Sequence, residues 1–107
     1  MLDLRRYQAE DGRVPFTEWL NGLRDKAAQS RIRLRLRQAE AGNLGDCEPV
    51  GEGVLELRVH VGAGHRVYCG RSGKTLVILL CGGDKSSQER DIKLAKALWA
   101  DWKRRQP

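Results

Sequence analysis

Residues 54–61, VLELRVHV, alternate with a period of two. On an extended chain Leu55, Leu57, Val59 and Val61 fall on one side, and Val54, Glu56, Arg58 and His60 on the other. Successive strand side chains point to opposite faces, whereas a helix would scatter both sets around its axis. The stretch therefore reads as a strand with one buried face and one open face. Gly62 to Gly64 supply a tight turn, after which Val67 and Cys69 suit the buried side and Arg66 and Tyr68 the open side. A second turn at Arg71–Ser72–Gly73–Lys74 leads into Thr75–Cys81, an apolar run of the kind covered on both faces. The three strands form a meander whose open face gathers Glu56, Arg58, His60, Arg66 and Tyr68. Gly82 and Gly83 lack the longer glycine pattern of a phosphate-cradling loop and read as a helix-entry turn that brings Lys85 to the strand's end.

The rest of the chain is arranged around this meander. Leu2–Tyr7 is a short strand with Leu2 and Leu4 inward, ended by Gly12. Pro15 stands where a helix's first turn tolerates it, and Phe16, Trp19, Leu20 and Leu23 recur at helical spacing up to an end between Asn21 and Asp25. Residues 26–41 contain a strand-like alternation, Arg31-Ile32-Arg33-Leu34-Arg35-Leu36-Arg37, within a window dominated by helix formers. Ala28, Ile32, Leu36 and Ala39 share one helical face and only Leu34 is badly placed. We assign a helix, paired with the preceding one as an antiparallel hairpin. Residues 42–53 are rich in glycine and read as an irregular connection. Ser86-Ser87-Gln88-Glu89 fits a capping box, and Ile92, Ala95, Leu98, Trp99 and Trp102 make the apolar stripe of a last helix. The two tryptophans anchor that helix, and Lys103, Arg104 and Arg105 complement its dipole.

The expected architecture is α+β: a small, mostly antiparallel sheet from an N-terminal strand and a three-strand meander, with a helix hairpin and a C-terminal helix. At 107 residues, and without repeats, it forms a single domain over 1–107. The net charge is +6, with fourteen arginines against six lysines. Arginine's planar fork matches phosphate, so the bias points to a polyanion such as RNA or DNA. The arginines at 31, 33, 35 and 37 could form a phosphate stripe. A helix splits them onto different sides, which favours a solvated face with RNA steering as a secondary effect. Cys47, Cys69 and Cys81 are odd in number and lack the spacing of a zinc site. Free thiols, no signal peptide and no apolar run of about 18 residues point to the cytoplasm and away from a membrane.

The words GHRVY and CGGDKSSQ, set in the run from Leu55 to Ile92, carry a resemblance. The stretch is similar to toxins of bacterial type II toxin–antitoxin modules in the RelE/ParE superfamily, above all to the addiction module killer proteins related to HigB. The likeness in wording runs from Glu56 to Trp102; the N-terminal helices agree in pattern only. It implies a RelE-like fold and, in the ribonuclease branch, cleavage of mRNA, usually on the ribosome. It also implies a cognate antitoxin resembling a helix-turn-helix DNA-binding protein. No metal or organic cofactor is expected, because the ribose 2′-hydroxyl is the nucleophile. Such a cleavage needs a proton acceptor, cations at the crowded phosphate and a donor for the leaving oxygen.

By this resemblance Arg66 matches the arginine after the meander turn and would stabilise the phosphate. Lys85 matches the basic position at the strand-to-helix junction, and Arg58, opposite Arg66 in a simple hairpin register, would share the role. His60, a residue type that exchanges its proton near neutrality, and Glu56 are the candidate bases, and Tyr68 a candidate donor. GHR stands where GYR is usual, and no histidine or tyrosine follows Tyr68. His65 falls on the buried side as a structural histidine. A ParE-like inhibitor of DNA gyrase is the alternative; it shares the fold but generally lacks a basic set on the sheet. A plain RNA-binding module would present stacking aromatics on its strands, and only Tyr68 qualifies.

Overall fold

Alternation and capping signals resolve into five strands and three α-helices in the computed structural model, which describes all 107 residues. In chain order these are β1 (Asp3–Arg6), α1 (Pro15–Gly22), α2 (Lys26–Glu40), β2 (Cys47–Gly51), β3 (Val54–Val59), β4 (His65–Ser72), β5 (Leu76–Asp84) and α3 (Gln88–Arg104). A 3-10 turn at Lys85–Ser87 joins β5 to α3. One sheet in the order β1-β5-β4-β3-β2 contains every strand; β1 runs parallel to β5 and the other pairs are antiparallel. The fold is α+β, as the sequence indicates. No helix is long and apolar enough to cross a membrane.

Strand β2 corrects the reading of residues 42–53 as an irregular connection. Its sequence, CEPVG, has a proline and a glycine and no alternation, so propensity gives it no weight. Pairing with β3 makes it a strand, with Cys47 opposite Leu57 and Pro49 opposite Leu55, and its place at the sheet edge is where a proline is tolerated.

The α1–α2 hairpin covers one face of the sheet. Phe16, Leu20, Ile32 and Leu36 pack on Val77 and Leu79 of the apolar run and on Leu57, Val59, Val67 and Cys69, which the alternation assigned inward. Helix α2 starts where Asp25 accepts hydrogen bonds from the amides of Ala27 and Ala28 at 2.9 and 3.2 Å. Its buried stripe is Ala28, Ile32, Leu36 and Ala39, and Leu34 is 43% exposed.

The opposite face, expected to be open, is largely closed by α3. Ala95 and Trp99 pack with Val54, Tyr68, Ile78 and Leu80, and Trp102 stacks on Trp99. Alternation separates two faces but does not say whether the second receives a helix. Gly70 makes room for this one, since a Cβ there would overlap the Trp99 ring. Two further readings are corrected. Gly82 and Gly83 are buried residues of β5 and no turn; Trp19 lies against the first and Asp91 against the second, leaving no space for a side chain. The capping box belongs to Asp84 and Ser87, while Ser87, the residue preceding α3, makes no side-chain cap bond to that helix.

Candidate functional site

The β3–β4 hairpin sets Arg58 opposite Arg66 and Glu56 opposite Tyr68, the register that the alternation implies. Between the strands the chain turns through Gly62 and Gly64 at φ of 55° and 90°, backbone that other residues rarely adopt. Arg66 in turn pairs with Gly83 of β5. One residue on, Asp84 accepts from the Ser86 amide at 2.9 Å and fixes the 3-10 turn that begins at Lys85. Arg58, His60, His65, Arg66 and Lys85 thereby line a single cleft of about 200 Å³.

These cations differ in how far they are already neutralised. Arg58 contacts three carboxylates: Asp46 at 3.3 Å, Glu56 at 3.4 Å, and Glu48. Partial desolvation opposes its charge, but Glu48, Asp46 and Glu56 together hold the guanidinium above its ordinary range. Arg66 is 15% exposed, has only Glu56 in ion-pair range at 3.5 Å, and leaves its buried Nε without a hydrogen-bond partner. Lys85 is exposed at the mouth of the cleft.

His60 lies just past β3, with its side chain 76% exposed, and its Nε2 contacts Asp46 Oδ2 at 2.7 Å. That hydrogen bond, followed by the charge of Arg58, holds the Asp46 carboxyl below the usual range. The Nδ1 of His60 makes no hydrogen bond within the protein. His65 matches its structural reading: half-buried, its Nδ1 is 3.3 Å from the Val61 carbonyl oxygen and its ring is tilted against Trp19.

Glu56 and Tyr68 are not in the cleft. They are 1% and 0% exposed beneath α3, where the Tyr68 hydroxyl donates to Glu56 at 3.0 Å and Gln88 Nε2 donates to the same oxygen at 2.9 Å. Burial, then the neighbouring Glu56, pushes the Tyr68 phenol well above its ordinary value. Neither residue reaches a substrate, so the base and donor roles expected for them do not fit. Glu56 instead positions Arg58 and Arg66 from below.

Of the α2 arginines, Arg31, Arg33 and Arg37 are exposed, in keeping with a solvated face. Arg35 is an exception. It is half-buried and donates to the carbonyl oxygens of Arg58, Leu44 and Asp46, which straps the 44–46 loop to β3. Sequence reasoning missed Asp46, Glu48 and Gln88. The first two lie in the stretch read as irregular, ten or more residues from their partners, with no local signal. Gln88 was visible in the CGGDKSSQ word but had no assigned role.

No family model matches the chain. An uncharacterized protein of Haemophilus influenzae is 47% identical to it over 85 residues, which is 79% of this chain and 86% of the relative. With identity of that order across most of both chains, the protein belongs to the same family as its Haemophilus relative.

Proposed function

We propose that this protein is the toxin of a type II toxin–antitoxin module, a cytoplasmic endoribonuclease that cleaves mRNA engaged by the ribosome. The observation that carries this reading is the shared cleft of Arg58, His60, Arg66 and Lys85, in which Arg66 and Lys85 are the cations least claimed by carboxylates. In the proposed reaction the Nδ1 of His60, with the ring held by Asp46, takes the proton of a ribose 2′-hydroxyl. The freed oxygen attacks the adjoining phosphorus, and the bond to the 5′-oxygen of the next nucleotide breaks. Arg66 and Lys85 balance the charge that builds on the phosphate, and Lys85 returns a proton to the leaving 5′-oxygen, giving a 2′,3′-cyclic phosphate and a 5′-hydroxyl. Arg58, bound to three carboxylates, acts mainly on the shape and field of the cleft.

The partner in this reading is an antitoxin with a helix-turn-helix domain, expressed from the neighbouring gene. The test is a cell-free translation extract. The wild-type protein shortens mRNA only while ribosomes engage it, and Arg66→Ala lowers the cleavage rate by at least about tenfold, as removal of a charge-stabilising donor does elsewhere. Intact mRNA together with blocked DNA supercoiling would move the protein to the gyrase-inhibiting branch.

A further inference from the structure

We infer that a second cleft, next to the cationic one, is a subsite for a single nucleobase of the RNA; this deepens the nuclease reading and rests on it. The two clefts share Arg58, Val59 and His60 as a common wall. Beyond that wall the second cleft, of about 270 Å³, is lined by Arg31, Leu34, Gln38 and Asp46. A chain whose phosphate sits among Arg66, Lys85 and His60 has the adjoining base within reach of this second space.

Both clefts carry cations, Arg31, Arg35 and Arg58 in the second, and they differ in what accompanies them. No carboxylate lines the first, and histidines and cations crowd it, which suits a phosphate. The second contains the Asp46 carboxylate, which repels phosphate and holds His60 and Arg58 of the shared wall in place. Gln38 adds a donor and an acceptor, Arg31 a planar donor, and Leu34 an apolar surface on which a ring can lie. Unstacked bases are recognised by this combination of apolar contact and edge hydrogen bonds.

Leu34 has no other explanation. It is the one leucine of α2 that the buried stripe leaves outside, and Met1 and Leu94 are the other large apolar residues exposed to that degree. Arg31, Leu34 and Gln38 are spaced by three and four residues and so occupy one face of the helix. The facing wall is rigid, because Arg35 straps the 44–46 loop through three carbonyl oxygens and Gly45 lies against its guanidinium.

The experiment is an NMR titration of the full chain with inorganic phosphate and with each of the four nucleoside 3′-monophosphates. Phosphate alone should shift signals around Arg66 and Lys85. The nucleotides should also shift the Leu34 methyls and the Gln38 side-chain amide, with an affinity spread of about tenfold among the bases. Leu34→Asp changes an exposed residue; it should remove the spread and leave phosphate binding intact. Gln38→Ala, which keeps the apolar surface, should narrow the spread. Nucleotides that behave like phosphate alone, or a spread that survives Leu34→Asp, would overturn the inference. The titration reads binding without cleavage. Base discrimination with uncut mRNA therefore sinks the nuclease and keeps the subsite, whereas cleavage without base discrimination does the reverse.

Discussion

Glu56 joins more of the candidate site than any other side chain. One buried carboxylate receives Tyr68 and Gln88 and lies against both Arg58 and Arg66. Removing it leaves the buried Arg66 without a carboxylate, while Arg58 keeps Asp46 and Glu48, and breaking a buried pair of this kind costs about 3 kcal/mol. Glu56→Ala should therefore lower the urea midpoint by that equivalent and also slow cleavage, because Arg66 loses its support. Unchanged stability would show that the cluster is solvated. The buried thiols make a second residue-scale prediction. Burial pushes Cys69 and Cys81 up to about 12, from an ordinary 9.0. The unfolded chain releases these protons first, so the stability that the neutral thiols contribute is complete below pH 9 and is lost as pH rises toward 12. The alkaline fall in stability should be shallower in Cys69→Ala. At neutral pH a thiol reagent should modify half-buried Cys47 quickly and the other two at the rate of global opening.

Among the elements, α2 and α3 test opposite kinds of constraint. Helix α2 depends on local chemistry at its start, where Asp25 satisfies two amides. Asp25→Ala should cost about 1 kcal/mol, measured by thermal or chemical unfolding. Helix α3 depends on a vacancy in the sheet. The Trp99 ring occupies the space that a side chain at Gly70 would fill, and overpacking of this kind costs about 1–3 kcal/mol. Gly70→Ala should destabilise by that amount and shift tryptophan fluorescence, because the ring must move. A neutral Gly70→Ala would mean that α3 sits less tightly than described. The far end of α3 is tied back to the residues after β1. The Tyr7 hydroxyl donates to Asp101 at 2.6 Å, and Arg105 donates to the Gln8 carbonyl oxygen at 2.6 Å. That helix therefore runs across the sheet from Glu56 of β3 to the residues after β1.

For the whole molecule, charge and topology set the expected behaviour toward RNA. The chain carries a net +6, and the cleft offers two cations, Arg66 and Lys85, for phosphates, Arg58 being held by three carboxylates. If both engage a single strand, the logarithm of RNA affinity should fall with the logarithm of salt with a slope of about −1.4. Lys85→Ala should reduce that slope, and a salt-independent affinity would exclude this cleft as the phosphate site. Much of this molecule could be read from the order of its residues. The β3–β5 meander, the α2 helix with Leu34 outside its buried stripe, and the Arg58–Arg66 register all follow from period and spacing, which are local. Three things could not be read. The strand β2 exists only because β3 offers it an edge; Glu56 and Tyr68 are buried only because α3 lies over them; and His60 has its acidic partner only because Arg35 straps a loop fourteen residues away. Periodicity is a property of a few successive residues, but burial and ion pairing depend on which distant segment arrives to cover a surface, and packing alone decides that.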